Sequence, residues 1–265
     1  MNIAVIGCGF VGSTVADFLE RHLVKVSRID PNIYPSTEIS RGIRNQCEAF
    51  IICVPTPQGE DGSCDDSIVK QVLRELSTHK PILLKSTVTP DLMEKYPSNV
   101  TYNPEFLRAN NAKEDFAKQE LFILGGEDDN QMDYWSKIFL PYLPNTLEKR
   151  ISRATVSMIK YTHNAWLALK VAFFHELYLN TRYTKDFNYS ELTSTLGYMK
   201  NIGPSHMIAP NTEGKFGYSG HCFPKDVKAL TNLTDHSILK QLIETNEELK
   251  KDELSKKLCL ATRKR

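Results

Sequence analysis

No hydrophobic run in these 265 residues approaches the roughly 18 that a membrane span needs, and the excess of positive charge is a single unit. A membrane span and a global field for nucleic acid or anionic lipid are therefore not expected, and an anionic ligand requires a local site. The six cysteines (Cys8, Cys47, Cys53, Cys64, Cys222 and Cys259) show neither paired metal-ligand spacing nor a dense framework, so no metal is assigned and reduced thiols in the cytoplasm are expected. There is no internal repeat and no low-complexity segment. No signal peptide is read at the N-terminus, which opens on the strand-like Asn2-Ile3-Ala4-Val5-Ile6. The Lys251-Asp252-Glu253-Leu254 run resembles a retention signal but is internal.

What is present is a hydrophobic content of 41%, enough for one large or two modest cores. The strand at residues 2 to 6 runs directly into Gly7-Cys8-Gly9-Phe10-Val11-Gly12 and then into helical periodicity from Ser13 to Leu19. Glycines at these three positions permit a tight turn, close approach of a pyrophosphate and close helix packing, while a helix N-terminus offers N–H donors to the anion. A second strand, Val24 to Ile29, ends in Asp30, at the distance expected for an acid that binds adenosine ribose hydroxyls. A carboxylate there repels a 2′-phosphate, which favours NAD over NADP; Arg28, two residues earlier, pulls the other way.

Three further strands run into polar elbows, where open α/β sheets bind ligands. Ala49 to Val54 is apolar on both faces and ends in Pro55-Thr56-Pro57. Asp66 or Ser67 can cap the helix that follows, through Leu76. Ile82 to Lys85 ends in Ser86-Thr87-Val88, where the Thr87 hydroxyl suits a nicotinamide, a substrate, a water or simply a turn. Val100 to Tyr102 ends in Asn103-Pro104-Glu105-Phe106-Leu107-Arg108, in which Glu105 reads equally as a general base or a solvated acid. A sixth strand at Leu121 to Leu124 and a helix around Met132 to Phe139 close the domain near residue 150. The alternation specifies an α/β fold, a Rossmann-like doubly wound parallel sheet over residues 1–150.

Beyond Ser152 the periodicity is helical. One long helix reaches to about Asn180, with Lys160 and Asn164 four apart on one face; shorter helices follow at Ser190 to Leu196 and from about His236 to Leu258, before a basic tail. Residues 151–265 thus form an α-helical domain. The long helix is apolar on more than one face, Trp166, Phe173 and Phe174 included, so a homodimer through it is expected. Within this domain, Phe216-Gly217-Tyr218-Ser219-Gly220-His221-Cys222-Phe223-Pro224-Lys225-Asp226 places one cysteine in a glycine turn. The neighbouring Lys225 and His221 make Cys222 the best candidate for a reactive thiolate, and the glycines let backbone N–H groups approach a substrate.

Together these stretches, in this order, resemble the UDP-glucose 6-dehydrogenase family of the UDP-glucose/GDP-mannose dehydrogenase superfamily. The resemblance rests on Gly7 to Gly12 with Asp30, Cys53 to Pro57 with Asp61-Gly62-Ser63, Lys85 to Val88, Asn103 to Arg108, Lys160 with Asn164, and Gly220 to Asp226. It implies two-step NAD-dependent oxidation of the C6 alcohol of a nucleotide sugar, UDP-glucose first, with Cys222 capturing the aldehyde as a thiohemiacetal and passing through a thioester. It further implies that Lys160 and Asn164 hold the oxyanion, Asp226 assists proton transfer through water, Thr87 positions that water or the cofactor, and Glu105 serves hydrolysis. Gly7, Gly9, Phe10, Val11, Gly12, Asp30, Val54, Pro55, Thr56, Thr87 and Lys225 fall on the cofactor side. Phe106, Leu107, Phe216, Gly217, Tyr218 and Gly220 join Lys160 and Asn164 on the substrate side.

The chain departs from the family at Ala109, where a second glutamate is usual; at Ser219, usually glycine; and at Asn201, usually a substrate-binding arginine. The segment between Asp30 and Val54 is shorter than usual. The family's second Rossmann-like domain, which recognises the nucleotide, has no counterpart after Asp226. The expectation is a minimal enzyme of the kind a virus carries, a split enzyme whose nucleotide domain sits on a partner chain, or an impaired NAD-binding subunit. A different enzymatic reading is a single-oxidation β-hydroxyacid dehydrogenase using Lys160 and Asn164, which has no need of a thiol.

Overall fold

A computed structural model describes residues 1–34, 38–108 and 111–251. Ala109, Cys259, the basic tail, the run from Asp252 to Leu254 and the end of the last expected helix lie outside the described residues. The chain divides into two compact units, one of residues 1–59 and 64–160, the other of residues 60–63 and 161–265.

The first unit is a seven-stranded sheet with helices between its strands. In chain order it contains β1 (Asn2–Ile6), α1 (Phe10–Arg21), β2 (Lys25–Ile29), α2 (Arg41–Gln46), β3 (Ala49–Ile52), α3 (Ser67–Leu76), β4 (Ile82–Leu84), α4 (Pro90–Met93), β5 (Val100–Tyr102), α5 (Ala112–Ala117), β6 (Leu121–Gly125), α6 (Asp129–Phe139) and β7 (Leu147–Ile151). The strand order is β2-β1-β3-β4-β5-β6-β7. All neighbours are parallel except β5 and β6, which meet antiparallel at Tyr102 and Gly125. The sheet is therefore mostly, not wholly, parallel.

Side chains alternate between two cores because successive residues of a strand point to opposite faces. Ile3, Val5, Ile51, Leu83 and Leu124 pack with α1 and α6, around Val15, Leu19, Trp135 and Phe139. Ala4, Ile6, Phe50, Ile52 and Leu84 pack instead with α3, around Val69, Val72 and Leu76. Helices on both faces explain why the central strands read as unbroken apolar runs. Burying one such aliphatic side chain stabilises by about 1.5–3 kcal/mol.

Two local expectations are corrected. Asp66 occupies the position before α3 but does not cap it: its carboxylate accepts from the Tyr96 hydroxyl (2.7 Å) and pairs with Lys70 (2.9 Å). Asp65 accepts the Ser67 amide (2.9 Å) instead. A seventh strand, β7, follows the six expected ones. β7, Leu-Glu-Lys-Arg-Ile, has no buried residue and pairs only with β6.

The second unit is helical. It takes most of α7 (Arg153–Thr181), then α8 (Tyr189–Gly197), α9 (Phe223–Thr234) and α10 (Ser237–Lys250). The stretch 60–63 belongs with it: the Asn232 side chain donates to the Asp61 carbonyl at 2.7 Å. α9 was not expected, although Pro224 in its first turn and Val227 with Leu230 behind it are an ordinary helix opening. No described helix is long and apolar enough to cross a membrane.

Candidate active site

At the first glycine turn, Gly7 has φ +85°, and a Cβ there meets the Cys53 carbonyl oxygen at 2.7 Å; at Gly12 a Cβ meets the Gly7 oxygen at 1.8 Å. Both positions exclude any side chain. Gly9 has nothing within 4 Å of its Cβ position, so the turn is open on the side a pyrophosphate approaches. Asp30 is held ready at the end of β2: Oδ2 accepts the Cys8 amide (2.8 Å) and Oδ1 the Asn32 amide (3.0 Å). Arg28, the residue that argued for a 2′-phosphate, is engaged elsewhere. Its guanidinium pairs with Asp17 at 2.6 Å and Glu20 at 2.7 Å, and those carboxylates raise its pKa further. Glycines, acid and sequestered arginine together fit NAD.

The elbows after β3 and β4 are tied together, the Thr56 hydroxyl donating to the Thr87 carbonyl at 2.7 Å and Ser86 to the Val54 carbonyl at 2.6 Å. Val54 is buried, Thr87 half-buried and Pro55 exposed. Lys85, directly after β4, carries no role predicted from the sequence. Lys85, buried, donates to the Asn103 carbonyl (3.1 Å) and Oδ1 (2.6 Å) and faces the Phe116 ring at 5.6 Å. Burial holds its pKa down to about 8, with Cys53 and Glu105 opposing and Lys160 adding to the shift. The same burial pushes the Cys53 thiol up to about 12, so Cys53 is no nucleophile.

In this unit α7 brings Lys160 to Glu105. The Lys160 ammonium donates to the Glu105 backbone carbonyl (2.5 Å) and Oε1 (3.0 Å) and lies over the Phe106 ring at 5.3 Å. Glu105 Oε2 accepts the Leu107 amide at 2.6 Å, which folds the elbow back on itself. Lys160 is 3% and Glu105 11% exposed at the side chain, so this is a buried ion pair rather than a surface one.

In the second unit the centre is Asp226, 1% exposed. Its Oδ2 accepts from the Asn164 amide and its Oδ1 from Lys225, each at 2.6 Å. Lys225, expected as a cation beside the thiol, pairs with Asp226. Cys222 is exposed and stands at the N-cap of α9, where a helix end contributes a positive field. Positive φ between Tyr198 and Cys222 falls on Gly203, His206, Gly214, Gly217 and Gly220 but not on Ser219, so that departure carries no backbone strain. Phe216 is half-buried, Tyr218 buried and Asn201 exposed. Lys160 and Asn164 are one turn apart on α7, and each unit holds one of them against a carboxylate.

Residues 22–143 match the NAD binding domain of the UDP-glucose/GDP-mannose dehydrogenase family, and residues 154–249 match that family's central domain. A UDP-glucose 6-dehydrogenase of Rickettsia bellii is 30% identical over 94% of this chain and 67% of its own length; a putative UDP-glucose 6-dehydrogenase of Bacillus subtilis is 26% identical over 87% and 62%. The chain thus spans about two thirds of the length of these curated relatives. Among solved structures, a UDP-glucose dehydrogenase from Pyrobaculum islandicum superposes with a TM-score of 0.81 at 22% identity, over 93% of this chain and 68% of that one. The 3-hydroxyisobutyrate dehydrogenase of Mycobacterium tuberculosis gives 0.69 at 15%, over 96% and 95%. At these identities both structures speak to the fold alone.

Proposed function

Because the chain belongs to the UDP-glucose/GDP-mannose dehydrogenase family, we propose that it oxidises the C6 alcohol of a nucleotide sugar, UDP-glucose first, to the carboxylate through a thioester on Cys222. The observation that carries this reading is the exposed Cys222 at the head of α9, one helical turn before the buried Asp226. A single alcohol oxidation has no use for such a thiol.

Gly7, Gly9, Gly12 and Asp30 hold the cofactor, with Phe10, Val11, Val54, Pro55, Thr56 and Thr87 around it; bound there, NAD accepts hydride from the sugar carbon. Lys160 has one donor beyond its two bonds to Glu105 and, with the Asn164 amide, steadies the C6 oxygen as it loses its proton. Asp226 takes that proton through a water that Thr87 positions. The Cys222 thiolate then adds to the aldehyde carbon: a C–S bond forms and the carbonyl oxygen takes up a proton. Loss of that proton, and of a second hydride to a second molecule of NAD, restores the carbonyl as a thioester. Water activated by Glu105 breaks the C–S bond, releasing carboxylate and thiol. Phe106, Leu107, Phe216, Gly217, Tyr218 and Gly220 line the sugar, and Lys225, paired with Asp226, lies on the cofactor side.

The test is stoichiometry. Wild type given UDP-glucose and excess NAD yields two NADH per sugar, whereas Cys222→Ser loses turnover by about 10³-fold or more, as removal of a nucleophile does. One NADH per sugar with an undiminished Cys222→Ser variant supports the β-hydroxyacid reading instead. Trp166 and Phe173, both 59% exposed two turns apart on α7, support a homodimer; a monomer mass in light scattering at micromolar concentration refutes it.

A further inference from the structure

From Tyr198 to Cys222 the chain contains no helix or strand. A loop of that length keeps one shape only where other groups satisfy its amides and carbonyls. Lys170 on α7 donates to the carbonyls of Ile202 (2.8 Å) and Gly203 (2.9 Å), and Tyr189 on α8 to that of Met207 (2.8 Å). His175 does more: Nε2 meets the Ile208 carbonyl and Nδ1 the Gly217 amide, each at 2.9 Å. An amide only donates, so Nδ1 is bare and the ring proton sits on Nε2. From the other side Asn246 of α10 accepts the Tyr218 amide (2.6 Å) and donates to the Tyr218 carbonyl (3.2 Å). Gly217 has φ +79°, and a Cβ there meets Asn246 Oδ1 at 2.7 Å, so the clamp admits only glycine. His175 and Asn246 are each 2% exposed.

We propose that His175 and Asn246 are positioning residues for the nucleotide sugar, a two-sided clamp that sets the Phe216-Gly217-Tyr218 turn. This rests on the reading above that the turn lines the sugar. His175 joins Ile208 to Gly217 across the loop, and it does so only as the neutral ring, because a protonated Nδ1 sets one N–H against another. Burial lowers its pKa, with the Ile208 carbonyl opposing, which keeps it neutral at pH 7. The other titratable groups around the clamp are Tyr178, stacked on Phe216 at 6.0 Å, Tyr189, the buried Lys170, and Glu247 with Lys250 on α10, which pair at 3.1 Å. His206, packed on Phe223 at 5.8 Å, and the exposed His221 are the remaining imidazoles of the loop.

The test compares His175→Phe, which keeps a ring and removes the acceptor, with His175→Asn, whose Oδ1 stands where Nδ1 was and does not titrate. His175→Phe leaves the Gly217 amide buried and unpaired, so the KM for UDP-glucose rises about 10-fold with the KM for NAD unchanged. His175→Asn stays within about 3-fold of wild type at pH 8 on the same scale of one neutral hydrogen bond, and lacks the loss of kcat/KM that wild type shows once acid protonates the ring, at a pH below the ordinary imidazole range. An unchanged sugar KM in His175→Phe, or a wild-type acid limb in His175→Asn, overturns the proposal. Amide exchange in the wild-type chain gives a reading without turnover: the Gly217 and Tyr218 amides are protected at pH 8 and open, after correction for intrinsic rates, towards pH 5. Fast exchange at pH 8 sinks the clamp; protected amides with no NADH formed sink the oxidation reading instead.

Discussion

Lys160 and Asn164 each meet a carboxylate, and the two meetings are built differently. Lys160 with Glu105 is a full ion pair closed off from water, in which either member alone is a buried charge without a counter-ion. Asn164 with Asp226 is an amide on an acid whose charge is balanced by Lys225, 22% exposed and still in touch with solvent, and by the first turn of α9. The first pair is therefore sensitive to the loss of either partner. In the second, the donor can exchange its carboxylate for a developing oxyanion at little electrostatic cost, because Asp226 keeps its cation.

The largest test of that difference is Lys160→Met, which strands Glu105. Unfolding by urea at pH 7 is expected to show a loss of about 3–5 kcal/mol, most of it regained in the double variant with Glu105→Gln. A loss that stays whole in the double variant ends the account of this pair as mutually required. Next comes Lys85, the other buried lysine of the first unit. Its folded pKa, about 8, lies below the ordinary 10.5, so the unfolded chain binds more protons between those values and stability rises with pH across that window. Wild type should gain about 3 kcal/mol relative to Lys85→Met between pH 8 and 10.5; parallel stability curves for the two proteins contradict it. The smallest effect is expected at Asp226→Asn, about 2 kcal/mol, since Lys225 returns to water. Should it equal Lys160→Met, the contrast between the two pairs disappears.

The sheet was legible because each central strand is an apolar run ending in glycine, proline or small polar residues, and because Asp30 follows the glycine turn at a set distance. β7 was not: its charged residues alternate with nothing, as an edge strand with no buried residue permits. The antiparallel meeting of β5 and β6 likewise leaves no mark on the sequence. In the site, Lys160 and Asn164 could be paired by helical spacing, but their partners lie 55 and 62 residues away and only the fold supplies them. α9 carries Pro224 in its first turn, where a proline fits the start of a helix. Asn246 did carry a signal. It is the one polar residue in the buried stripe Leu239, Leu242, Asn246, Leu249 of α10, and a polar side chain at a core position calls for a partner, here the backbone of Tyr218.

The passage of residues 60–63 into the helical unit, and the boundary after Lys160 inside a continuous helix, bear on how the protein can be dissected. No single cut separates the units as two uninterrupted polypeptides. A break after Lys160 divides α7 and sends the Asp61 carbonyl away with the sheet, leaving the Asn232 side chain without its acceptor. Residues 161–265 made alone would lack the stretch 60–63, and residues 1–160 made alone would carry it without its helical partner.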